Sequence, residues 1–200
     1  MAAITISRQM NSQGDELALQ VAEQLGWRRV CRDLINQAAL AAGAPQVALA
    51  EIDEFGFLGI RPSSREWRAY RRQIERIILE LADQGNVVIV GRGGQVILRG
   101  RPDVLHVRVV APLEVRVAWL QQEKGLSPEA AQTGLAQSDK TRAGFLRRSF
   151  KIQVNDPALY HLTLNTGFLD LSQAAALIVQ AWRQLSASQK CQTTVNPDQK

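Results

Sequence analysis

"ITISRQMNSQGDELA" (Ile4–Ala18) decides how the chain begins to fold. The apolar Ile4-Thr5-Ile6 reads as a short strand running into a small polar turn, and a helix opens at Gly14-Asp15-Glu16. In such a layout the backbone N–H groups of the turn and the helix N-terminus face an anion. The phosphate-loop pattern G-x-x-x-x-G-K-[ST] also needs a lysine, and none is present here. Three readings stand at this point: a nucleotide-binding loop that does without its lysine, a site that has lost its activity, or an ordinary strand–turn–helix.

Working outward, three more stretches read as strands: Asn86–Val90, Val104–Val110 and Leu159–Asn165. "NVVIV" is β-branched and continuous, as a strand covered on both faces should be. Helical patterns lie between them. Gly14–Leu25 places Leu17, Val21 and Leu25 on one stripe, and Asp33–Ala42 has Asp33 as its expected cap. Arg65–Asp83 repeats Tyr70, Ile74, Ile77, Ile78 and Leu81 at helical spacing. Pro112–Gly125 starts with proline and ends at glycine. Pro128–Lys151 is long and arginine-rich, with Gly144 as a candidate break, and Ser172–Leu185 is amphipathic. Strands alternating with helices argue for an α/β fold with a parallel sheet. Residues 44–64 form an irregular stretch, long enough for a functional loop or small insert. The polar segment from Ser186 onward is expected to be a disordered tail, leaving a domain over residues 1–185.

The 200 residues favour one domain, with 46% apolar and 22% charged residues as in ordinary globular proteins. The two cysteines have no metal-binding or redox spacing and read as free thiols in a reducing cytoplasm. No apolar run approaches the ~18 residues of a membrane span, so no membrane association is expected. Net charge is +5, carried mostly by arginine. A basic surface and a polyanionic ligand both account for that balance. Nucleic acid is the less expected ligand. Aromatics interleave with arginines in "REWRAYRR" (Arg65–Arg72), but there helical spacing turns Tyr70 towards the core.

Ligands on parallel sheets bind beyond the carboxyl ends of the strands. That rule singles out the Arg8–Gly14 turn, the Gly91-Arg92-Gly93-Gly94 turn and Ala111-Pro112. In the first, Asn11, Ser12, Gln13 and Gly14 can form a backbone nest, with Arg8 supplying the charge normally brought by lysine. Asp15 and Glu16 would repel a phosphate unless a metal intervened. In the second, Arg92 stands between glycines at a strand end, placed either to fork onto a phosphate or to lie exposed on a tight turn. A third group is Arg116, Asp139 and Arg142; Asp139 and Arg142, three apart, share a helix face, as solvated surface pairs also do. His106 and His161 are expected in core or surface roles, with no metal site and no catalytic triad.

Taken together, "ITISRQ" with "DELA", "GNVVIVGRGG", "VLHVRVVAPLEVRV", "DKTRAGFLRRSF" and "DPALYHLTLNT" resemble, in order and spacing, the cytidylate kinase-like family, over about residues 3–185. The resemblance implies a P-loop NTPase-like parallel five-stranded sheet flanked by helices, with a helical lid and an insert that binds a nucleoside monophosphate. It places a short fifth strand around Arg29–Cys31. It further implies ATP and Mg²⁺ as cofactors and phosphoryl transfer to a CMP-like acceptor. Asn11, Ser12, Gln13 and Gly14 would hold phosphates, Arg92 would contact the acceptor phosphate, and Arg65 or Arg68 would lie toward the monophosphate. Arg8, Arg116, Asp139 and Arg142 would serve the transfer itself; the metal ligands are not implied. The chain departs from cytidylate kinases in lacking the loop lysine near Gly14 and in carrying Glu16 where they have a Ser/Thr metal ligand. A catalytically weak or inactive nucleotide-binding protein on the same fold is therefore the alternative.

Overall fold

The computed structural model describes residues 2–45 and 63–194. Five parallel strands form one sheet: β1 Ala3–Arg8, β2 Arg28–Val30, β3 Val87–Val90, β4 Val104–Val110 and β5 Leu162–Asn165. Their order is β2-β3-β1-β4-β5. The chain leaves β1 towards β2 on one side and leaves β4 towards β5 on the other. The crevice at the carboxyl ends of these two central neighbours is where a parallel sheet binds its ligand.

The helices are α1 Gly14–Leu25, α2 Arg32–Ala41, α3 Ser64–Gln84, α4 Gly94–Ile97, α5 Leu113–Lys124, α6 Pro128–Phe150 and α7 Leu171–Thr194. Alternate strand residues divide the core between the two faces of the sheet. Ile4, Ile6, Val88, Val90, Leu105, Val107 and Val109 pack with α1 and α7. On the other face Ala3, Val87, Ile89 and Val104 pack with α2 and α3. That second face grows polar towards the carboxyl edge. Thr5 stands opposite His106 and Ser7 opposite Arg108, with Thr5 Oγ1 2.7 Å from His106 Nδ1.

Several expectations shift. Asp33 is not the cap of α2; Cys31 is, without a side-chain bond, and Asp33 sits in the first turn beside Arg32. Gly144 does not break α6, which runs unbroken from a Ser127 cap to a left-handed Lys151. The last strand starts only at Leu162, after a single turn of 3-10 helix at Pro157–Leu159. The final helix continues to Thr194, through positions where polar composition predicted a disordered tail. Once a helix is nucleated, adding residues costs little, so polar composition alone does not end it there. Most of the irregular 44–64 stretch lies outside the described residues. No described helix is long and apolar enough to cross a membrane.

Candidate functional site

The loop after β1 has the backbone of a nest although glycine is scarce in it. Asn11 and Gln13 both adopt left-handed conformations, φ 56° and 55°. For a residue with a Cβ this costs on the order of 1 kcal/mol and marks a geometry imposed from outside. The surroundings supply that constraint. Gln9 Oε1 accepts from Ala111 N, Asn11 Nδ2 donates to the Arg116 carbonyl, and Thr166 Oγ1 donates to the Ser12 carbonyl at 2.8 Å. Ser12 is fully buried, its hydroxyl turned back onto the Gln9 carbonyl at 3.0 Å. It shapes the loop, and its hydroxyl does not face the cleft as a phosphate donor would. At Gly14 a Cβ would come within 2.5 Å of Arg8 Cβ, so only glycine fits.

Helix α1 begins directly behind this loop, and Gln13 caps it without a side-chain hydrogen bond. Ser63 and Ser127 cap α3 and α6 with theirs. The first-turn amides of α1 therefore face the loop without side-chain competition, which is the arrangement that favours an anion. Arg8 does not stand there as an unpaired charge. Its Nε and Nη2 lie 3.0 and 3.2 Å from the two carboxylate oxygens of Asp15, a bidentate pair.

Beside the loop a cavity opens over the polar edge of the sheet. Ser7, Arg8, Arg32, Arg92, Arg108 and Arg142 are among its walls. Arg92 is buried in a left-handed turn, φ 51°, and its Nε donates to Asn36 Oδ1 at 2.9 Å. Its guanidinium stands 5.4 Å from the centre of the Phe145 ring. Burial, helped by neighbouring Arg32 and Arg8, pushes its pKa down to about 10. Arg92 is still charged at neutral pH. Arg108 is equally buried and donates through Nη1 to Ser7 Oγ at 2.9 Å. Its pKa too is lowered, first by burial. Neither forms an ion pair with a described residue.

Buried Arg116 and half-buried Asp139 form a clamp behind the loop. Arg116 Nη1 lies 2.8 Å from Asp139 Oδ2, and its other bonds go to the carbonyls of Ala111 and Met10. Asp139 Oδ1 accepts from Met10 N. Neither lines the cavity or the loop cleft, so their bonds position Met10; they do not reach an anion in either space. Arg142, one helical turn on, donates from Nη1 to the Arg8 carbonyl at 2.9 Å and borders both spaces. Arg68 is exposed and belongs to a separate groove with Trp67, Arg71 and Arg148; Arg65 is exposed as well. The two histidines stack 5.1 Å apart. Sequence reasoning missed Arg108, Arg32 and Ser7. The polar positions His106 and Arg108, two apart in an apolar strand, were the available signal.

Among the described residues no three His, Cys, Asp or Glu side chains cluster as a metal cage. Asp15 and Glu16 both border the loop cleft; with both Asp15 oxygens on Arg8, the Glu16 carboxylate is the one that suits Mg²⁺, which takes one or two carboxylates and completes its shell with substrate phosphates and water.

Residues 3–167 match the model of the cytidylate kinase-like family. A cytidylate kinase of Pyrococcus horikoshii is 28% identical over 164 residues, covering 82% of this chain and 79% of that relative. A uronate isomerase of Corynebacterium glutamicum is 31% identical over 111 residues, 56% of this chain, but the chain spans only 21% of that protein. Among solved structures, an uncharacterised protein from Eubacterium ventriosum superposes with a TM-score of 0.73 at 17% identity, covering 92% of this chain and 99% of its own. A gluconokinase from Sinorhizobium meliloti superposes with a TM-score of 0.57 at 15% identity, covering 96% and 97%. At such identities the likeness is one of fold, that of the P-loop kinases.

Proposed function

The chain belongs to the cytidylate kinase-like family, and on that premise we propose that it transfers a phosphoryl group from ATP to a nucleoside monophosphate of the CMP kind. One observation carries the reading: the loop cleft and the arginine cavity share Arg8, Arg32 and Arg142 along their border. ATP phosphates at the loop and an acceptor phosphate beside Arg92 would meet across the same guanidiniums. Phosphoryl transfer needs little covalent help from a protein, and positioning with charge stabilisation supplies most of its catalysis. Arg142 and Arg8 steady the transferred group, Asn11, Ser12, Gln13 and Gly14 shape the donor cradle, and Arg116 with Asp139 hold the loop in register. Glu16 would hold Mg²⁺, which when bound neutralises phosphate charge, while both Asp15 oxygens stay with Arg8. The free thiol of Cys31 suits a reducing cytoplasm.

A second reading, a nucleotide-binding protein with little turnover, is favoured by the Arg8–Asp15 pair, because it takes up a cation that borders the loop cleft. Calorimetric titration with ATP–Mg²⁺ and separately with CMP, followed by ADP formation with both present, tests the two. Binding with CMP-dependent ADP formation supports the kinase. Binding of both ligands without turnover supports the second reading, and binding of neither rejects both.

A further inference from the structure

We infer that Arg108, on the central strand β4, is a second acceptor-phosphate ligand, gripping the anionic oxygens of a phosphate monoester alongside Arg92. This rests on the acceptor cavity proposed above and narrows what that cavity accepts. Arg108 owes its place to strand register. On the shared face of β1 and β4, Ala3 pairs with Val104, Thr5 with His106 and Ser7 with Arg108. Side chains on that face thus pass from apolar at the amino end to charged at the carboxyl end, and Arg108 emerges in the cavity wall.

Its bonding is incomplete there. Only 7% of Arg108 is exposed, yet among the described residues its Nε has no partner and its one hydrogen bond goes to the neutral Ser7 hydroxyl. Asp139 is the carboxylate whose charge it feels, and that carboxylate is committed to Arg116 and the Met10 amide. Ser7 is itself backed by Tyr160, whose hydroxyl lies 3.4 Å away and donates to the Val154 carbonyl at 2.8 Å. Arg92 is buried alongside it with an amide oxygen on its Nε, and Asp33, the carboxylate whose charge it feels, is paired with Arg32. A buried guanidinium without a counter-charge is strongly unfavourable, and two in one cavity also repel each other. Such a pair is explained by a ligand bringing close to two negative charges, as a phosphate monoester does near neutral pH. A hydroxyl acceptor without a phosphate would leave both charges uncompensated, so the cavity discriminates in favour of acceptors that carry one.

The test compares wild type with Arg108→Met and Arg108→Lys by calorimetry with CMP and with inorganic phosphate, alongside thermal unfolding. Arg108→Met should unfold no earlier than wild type, because it removes an unpaired buried charge. It should bind CMP at least about ten-fold more weakly, as loss of a charge-assisted hydrogen bond predicts. Arg108→Lys should recover part of that affinity but not the fork. Unchanged affinity for both ligands in a folded Arg108→Met protein overturns the inference. If that variant does not fold, wild-type affinity in Arg108→Lys overturns it equally. Phosphate binding that depends on Arg108 without any CMP binding would sink the nucleotide reading and leave this one standing. A wild type that binds neither ligand sinks both.

Discussion

Asp15 sets how much positive charge the phosphate loop has to offer. It holds Arg8 through two oxygens, and Arg8 lies beside the helix N-terminus where donor phosphates would sit. Asp15 is 42% exposed, so solvent screens the pair and its worth is about 1 kcal/mol. Asp15→Asn keeps the shape of the turn and releases Arg8. Affinity for ATP–Mg²⁺ at fixed salt should rise by about five-fold, and an unchanged or weaker affinity would exclude Arg8 from donor binding. Arg92→Ala should act in the opposite direction. Arg92 contributes one bond to Asn36 and a stack on Phe145, so thermal stability should fall little while CMP affinity drops by about ten- to a hundred-fold. Equal CMP affinity in both proteins would remove Arg92 from the site. Much of this was legible from residue types at strand ends, because the carboxyl edge of a parallel sheet is a rule of topology. The Arg8–Asp15 pair was not, since spacing along a chain does not reveal which way two side chains turn. Arg108 was hidden by its strand, whose apolar neighbours masked the alternation.

Helix α6 shows how tertiary contacts overrule local preference. Gly144 offered a candidate break, yet Ser127 caps the start, Leu135 and Leu146 are buried, and Asp139 and Arg142 reach across to the first loop. Each of these anchors contributes as much as the ~1 kcal/mol that an interior glycine costs. Nothing lies within 4 Å of where a Cβ would stand at Gly144. Gly144→Ala should therefore stabilise the protein by about 0.5–1 kcal/mol, read as a higher urea midpoint with an unchanged slope. A lower midpoint would mean that the helix bends there in function. Elements with strong periodicity were legible: α1 keeps the bounds Gly14–Leu25, closed by a left-handed Gly26, and the "VVIV" of β3 is buried throughout. Elements fixed by non-local pairing were less so. β2 is three residues long, half-exposed, and exists because β3 is beside it.

Across the whole molecule the two faces of the sheet divide the work. The face under α1 and α7 is apolar throughout, with Trp27 and Trp182 edge to face at 5.1 Å, and it supplies the stability that the other face spends on polar groups. His106 lies midway along that second face, where the apolar end gives way to the arginine cavity. Burial first, then the neighbouring His161, lowers its pKa to about 4, and burial lowers His161 as well. Both therefore favour the neutral ring when folded. The unfolded chain takes up a proton as pH falls through about 6.5, whereas folded His106 resists until about 4. Stability is thus fully present above pH 6.5 and declines through this window, by about 3 kcal/mol from His106 alone. Urea denaturation from pH 7.5 down to 4.5 should show that decline, and His106→Gln should flatten most of it. The comparison with the variant separates this contribution from carboxylates such as Asp103 and Asp170, whose lowered pKa values act at the acid end of the range. An equal slope in both proteins would place the proton uptake elsewhere and leave His106 as a neutral strut between β1 and β5. A flattened slope would mean that the polar face leading to the arginine cavity is held together by an imidazole kept uncharged.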